Sequence, residues 1–157
     1  MGFVGRFAAS WKTGARKLTA AIVIFGLACS IEQLVSGPVT LTGEWTTVTP
    51  PEPLRVAGKG QQVVCLQVVG TLSDVDFKRG AALVNGQWHV LAGEAVDAEQ
   101  TNYPLQVGDQ GGNTTCLYRA GEHPPGPDFP GDIVKLRLRS EPPLQLEGIR
   151  WHSYDQK

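Results

Sequence analysis

Fourteen consecutive residues, Leu18 to Ile31, carry no charge. Ahead of them stand four cations, Arg6, Lys12, Arg16 and Lys17, and no acid; Glu32 is the first acid of the chain. A basic flank followed by an apolar run describes a segment that enters a bilayer with its N-terminal side in the cytoplasm. Phe3, Phe7 and Trp11 recur every four residues, with the cations mostly off that stripe. Residues 1–17 therefore read as a basic amphipathic segment lying along the cytoplasmic interface. Ile31, Leu34 and Val35 carry the apolar pattern on to Gly37-Pro38, where a helix would stop. Leu18–Ser36 is nineteen residues, which as a helix is about 28 Å long, close to the roughly 30 Å of a hydrocarbon core. Residues 18–36 are expected to form a transmembrane helix or, alternatively, the apolar region of a signal peptide. In the signal reading the apolar region is Leu18–Leu27, and Ala28 and Ser30 are the small residues of a cut after Ser30. A lipoprotein cut before Cys29, with acylation there, fits less well, because Gly26 stands where a branched aliphatic residue is usual.

After Pro38 the pattern changes to period two. Val39–Val48, with Trp45, reads as a strand, and Gln61–Leu72 as a buried central one. Ala81–Val84 and Gln87–Leu91 flank Asn85-Gly86, the signature of a two-residue hairpin with both central φ angles positive. Thr114–Arg119 is another strand, bringing Cys116 into the sheet. Gly121–Gly131 is rich in Pro and Gly and reads as an irregular loop. Beyond it Val134, Leu136 and Leu138 face one side and Lys135, Arg137 and Arg139 the other. Leu144–Leu146 and Ile149–Trp151 suggest one or two closing strands. Seven or eight short strands over residues 38–157 predict a mainly β fold: the N-terminal membrane or signal helix, then an antiparallel β-sandwich, jelly-roll-like or immunoglobulin-like. Cys65, Trp88 and Cys116 come in immunoglobulin order, but Thr114 occupies the place of the usual tyrosine.

Charge sharpens the division. Residues 1–31 carry four cations and no acids, while residues 32–157 carry ten cations and fifteen acids. A mildly acidic domain behind a basic leader argues against a nucleic-acid partner. In an oxidising compartment Cys65 and Cys116 are a candidate disulfide.

The sequence holds no nucleophile elbow, no zincin motif, no phosphate-binding loop and no dinucleotide fingerprint. No cofactor and no metal site is expected. Gly108–Gly112 reads as a turn. Asp74 and Asp76 form an Asp-x-Asp pair in a loop, which serves calcium or, more often, turn chemistry. Glu94, Asp97 and Glu99 cluster after the hairpin, and paired carboxylates run glycoside hydrolysis; of His89, His123 and His152, which share no ligand spacing, His89 beside Trp88 reads as a structural or surface histidine, His123 lies in the Pro-rich loop and His152 follows Trp151. Asn113-Thr114-Thr115 is a glycosylation sequon. The row Lys135, Arg137 and Arg139, with Trp11 and Phe7 on the leader, is the candidate partner-binding set, facing an acidic protein or lipid headgroups. Trp45, Trp88, Trp151 and Tyr154 are candidates for stacking a sugar or, alternatively, core residues.

Taken together, these patterns predict a non-catalytic, membrane-anchored accessory subunit. Its N-terminus is cytoplasmic, and its β domain, in the periplasm or outside the cell, braces a larger membrane protein complex. A secreted or tethered carbohydrate-binding module is the alternative, and a small hydrolase the third reading.

Overall fold

Eleven strands, each antiparallel to its neighbours, are seen in the computed structural model, which describes residues 19–24, 27–56, 61–121 and 129–155. At residues 19–24, 27–30, 61, 109, 154 and 155 the description is of the backbone alone. In chain order the strands are β1 (Thr19–Ile24), β2 (Leu27–Leu41), β3 (Thr46–Val48), β4 (Gln61–Val68), β5 (Leu72–Asp76), β6 (Ala81–Val84), β7 (Gln87–Asp97), β8 (Asn102–Gly111), β9 (Thr114–Arg119), β10 (Ile133–Glu141) and β11 (Leu144–Asp155). Hydrogen bonding runs continuously through one sheet in the order β1-β2-β11-β4-β9-β8-β7-β10-β3, with β6 paired to β7 and β5 to β6. The Ser140 N–H donates to the carbonyl of Thr42, just past β2, at 2.8 Å. That bond draws the two ends of the path together, so the sheet is nearly closed, as a barrel or flattened sandwich.

The interior is aliphatic. Leu41, Val64, Leu66, Leu117, Leu136 and Leu146 are among its fully enclosed side chains, and Phe129 and Trp151 join them near one end. In β10, Leu136, Leu138 and Ser140 are buried, while Arg139 and Glu141 are exposed. A register shift between Ile133 and Lys135 moves the parity by one at the start of the strand. Ile133, not Val134, therefore occupies the inward place. The same device acts in β11. A shift between Leu146 and Gly148 lets Leu144 and Leu146 share the inner face with Ile149 and Trp151, although their spacing is odd.

The helix expected over residues 18–36 is not seen among the described residues. The described part of this stretch is two strands rather than a helix, and no helix of the described residues is long and apolar enough to cross a membrane. The reason lies more than a hundred residues away, where β11 offers a partner along β2 from Leu41↔Leu144 to Ala28↔Asp155. Gln33 fastens the junction, its Nε2 donating to Val35 O at 2.6 Å and to Ile149 O at 3.3 Å, while Arg150 Nε donates to Gln33 Oε1 at 3.2 Å. Residues 1–18, including Phe7 and Trp11, lie outside the described residues.

Smaller corrections follow from turns. The expected Val39–Val48 strand is split, because β2 ends at Leu41 and β3 begins at Thr46. Gly70, at φ 100°, divides the expected Gln61–Leu72 strand into β4 and the start of β5. Asp74 and Asp76 lie in β5 rather than in a loop, and Gly108–Gly111 lie in β8 rather than in a turn. The Asn85-Gly86 hairpin is as expected, with φ of 50° and 78° and register Val84↔Gln87. Cys65 and Cys116 form the expected disulfide. They are directly paired residues of adjacent strands β4 and β9, whereas an immunoglobulin disulfide ties two facing sheets.

Candidate functional site

The outward side of β10 carries the cationic row. Arg137 lies between Thr47 of β3 and Glu94 of β7 in the ladder, and Arg139 lies opposite Ala92. Trp45, half-buried just before β3, lays its ring beneath both guanidinium groups: Arg139 is 4.4 Å and Arg137 is 4.9 Å from its centroid. Each such contact contributes about 0.5–1 kcal/mol at a partly exposed site. That is too little to fold a domain but enough to hold long side chains against the sheet instead of free in solvent. Arg137 also reaches Glu94 at 3.6 Å. Among the described residues, Lys135 and Arg139 make no ion pair. Arg and Trp are the residue types that dominate binding energy at protein interfaces, and here they are held in position in advance.

A second cation–aromatic pair stands nearby. Trp88 alternates outward on β7 with Val90, which is 49% exposed, while His89 and Leu91 point inward. Arg79 lies 4.8 Å from the Trp88 ring and pairs with Asp76 at 2.8 Å. The Arg79 hydrogen bond holds the Asp76 carboxyl below its ordinary value.

The four stacking candidates separate. Trp151 is 3% exposed and its ring centroid lies 5.9 Å from that of Phe129; it is core, and cannot offer a face to a sugar. Trp45 and Trp88 each have a guanidinium over the ring. The side chain of Tyr154 lies outside the described residues.

The catalytic and metal candidates hold turns and loops. Asp97 is buried, and its carboxylate accepts hydrogen bonds from Glu99 N (3.0 Å), Thr101 N (2.9 Å) and the Tyr103 hydroxyl (2.7 Å). The Tyr103 bond chiefly lowers the Asp97 pKa against the opposing effect of burial, and the same bond raises that of Tyr103. Glu94 faces Arg137, and Glu99 is exposed in the turn, so the three carboxylates do not converge on one cleft. Asp76 Oδ1 accepts from Lys78 N and Arg79 N, closing the β5–β6 turn. No group of three or more metal-ligating side chains occurs among the described residues. His89 is 6% exposed and its Nδ1 is 3.0 Å from Pro142 O. His152 lies on β11, where burial, then the neighbouring Arg150, lowers its pKa. His123 lies outside the described residues. Asn113 is exposed at the β8–β9 turn, with its Oδ1 accepting from Leu72 N at 3.3 Å.

Two features escaped the sequence reading. The meeting of Trp45 with Arg137 and Arg139 joins residues some ninety positions apart, and no local pattern encodes it. The other is a groove of about 320 Å³ at the end of the barrel, where β2, β6, β7 and β11 meet beside the segment after β4. Asn85 and His89, which line it, were each marked in the sequence, but nothing local joins them to Thr40 and Gln145. Comparison with known protein families, with characterised proteins and with solved structures returns no match.

Proposed function

We propose that this chain is an exported, non-catalytic accessory subunit whose β domain docks on an acidic surface of a larger membrane protein assembly. The observation that carries this reading is the Trp45–Arg137–Arg139 cluster, an outward, prearranged patch of the residue types that anchor interfaces. The Cys65–Cys116 disulfide supports a compartment outside the reducing cytoplasm.

The basic leader and apolar run supply the route. A helix over residues 18–36 and the pairing of Gln33, Val35 and Ser36 with β11 exclude one another. Even if β1 and Leu27–Ser30 of β2 gave up their strand pairing and only Ile31 onward stayed in the sheet, the thirteen residues Leu18–Ser30 would make about 20 Å of helix, short of a roughly 30 Å core. That length suits the apolar region of a signal peptide, and the cut after Ser30 would leave the barrel's described core whole. Delivery by a cleaved signal is thus favoured over the single-pass anchor, with attachment to the membrane made through the partner.

Two measurements test this. Intact mass of the protein recovered from its exporting host is expected to show a chain beginning at Ile31; a retained leader restores the anchor, and an acylated Cys29 the lipoprotein. Purification in mild detergent is expected to recover a stoichiometric membrane partner, lost in the R137E/R139E double variant. A monomer with no partner, or a partner indifferent to the charge reversal, overturns the docking role.

A further inference from the structure

The groove at the barrel end has a chemistry distinct from the cationic face. Its apolar part includes Val84 and Leu144, both buried, and its polar part Thr40, Gln87, His89 and Gln145. Among the described residues, no carboxylate, ammonium or guanidinium lines it.

Each polar group can be assigned. Pro142 O is a carbonyl and only accepts, so His89 must carry its proton on Nδ1 to make the 3.0 Å bond. In the neutral form of the ring, Nε2 is then a lone-pair acceptor. Ser140 Oγ donates to the same carbonyl at 2.7 Å, which fixes the loop that orients the ring. The Asn85 amide is engaged, its Oδ1 accepting from Thr71 N (2.9 Å) and its Nδ2 donating to Val69 O (3.3 Å). Gln87 and Gln145 are exposed, and among the described residues their side-chain amides make no hydrogen bond. The exposed hydroxyl of Thr40 completes the set.

We infer that this groove binds a neutral, polyhydroxylated ring of monosaccharide size. A charged ligand would lose hydration there with no counter-charge in return. A wholly apolar ligand would strip water from four polar groups without replacing its hydrogen bonds. Hydroxyl groups both donate and accept, which matches one acceptor, two carboxamides and one hydroxyl. An extended peptide would need an unpaired strand edge, whereas this groove lies across strand ends. The volume is at the small end for ligand sites. Among the described residues no Trp, Tyr or Phe lines the groove, so affinity rests on hydrogen bonds and falls in the range of roughly 1–10 mM.

The site differs from the sugar-stacking tryptophans expected from sequence, and it stands or falls independently of the docking face. The test is amide-resolved NMR of the purified protein titrated with glucose, galactose, mannose and N-acetylglucosamine, with glucuronate as the charged comparison. The expected result is saturable shifts at Thr40, Gln87, His89 and Gln145 for at least one neutral sugar and none for glucuronate. Gln87→Ala and Gln145→Ala, both surface changes that keep the folded spectrum, are expected to weaken binding by up to about tenfold each. Absence of shifts at about 50 mM of every neutral sugar, shifts confined to the Trp45 face, or affinity unchanged in both variants would overturn the assignment.

Discussion

Asp97 and Tyr103 show how a polar pair contributes inside an aliphatic domain. The Tyr103 hydroxyl donates to Asp97 at 2.7 Å, the carboxylate also gathers two N–H groups of the following turn, and Arg119 lies 4.8 Å from the Tyr103 ring. Asp97 is lowered from 3.8 and Tyr103 raised from 10.0 by this contact. For the carboxylate, the folded pKa is below the unfolded one, so its contribution is present above 3.8 and is lost as pH falls through the lowered value. For the phenol the folded pKa is the higher, so its contribution is present below 10.0 and is lost as pH rises through the raised value. Tyr103→Phe is therefore expected to destabilise most between about pH 4 and pH 10, with the difference from the parent shrinking on both sides. Urea unfolding midpoints across pH measure it, and a difference that is flat with pH would contradict the assignment. At this scale the sequence was partly legible. It marked Asp97 as a carboxylate in a cluster; its role as the acceptor of a turn was not, because that depends on Tyr103 arriving from the next strand.

Elements were legible where their signal was local. The Asn85-Gly86 hairpin, the β9 strand and the alternation of β10 all rest on neighbours within a few residues. β2 was legible only from Val39 onward; before that its partner β11 is distant in sequence, and an apolar run suits either element. Gly108 explains another miss: it reads as a turn residue, yet sits in β8 beneath an aromatic ring. A Cβ added there would lie 2.0 Å from Cδ2 of Tyr118, so glycine is required by close approach. Gly108→Ala is expected to lower stability by about 1–3 kcal/mol, as overpacking does. Adding Tyr118→Ala should recover part of that loss, giving a double variant less destabilised than the sum of the singles. Chemical denaturation of the four proteins checks this, and strict additivity would show that ring and glycine are not in conflict.

Across the whole molecule, the disulfide closes a chain segment with a sequence separation of 51, for which loop-closure entropy supports a stabilisation of about 2–4 kcal/mol. Cys65 is buried and pairs with Cys116 in the centre of the sheet path, so the bond tethers strands already in register. Cys65→Ala/Cys116→Ala is expected to lower the unfolding free energy by that amount while the strands persist by far-ultraviolet circular dichroism. An unchanged unfolding midpoint would remove the bond from the account of stability.

The neighbourhood of β2 and β11 has a consequence for biogenesis. β2 can complete its pairing with β11 only when all twelve residues of that strand have emerged. A chain made from its N-terminal side thus holds β2 without this neighbour until β11 follows. Closure of the sheet is therefore a late event in folding, set by the order in which the strands are made.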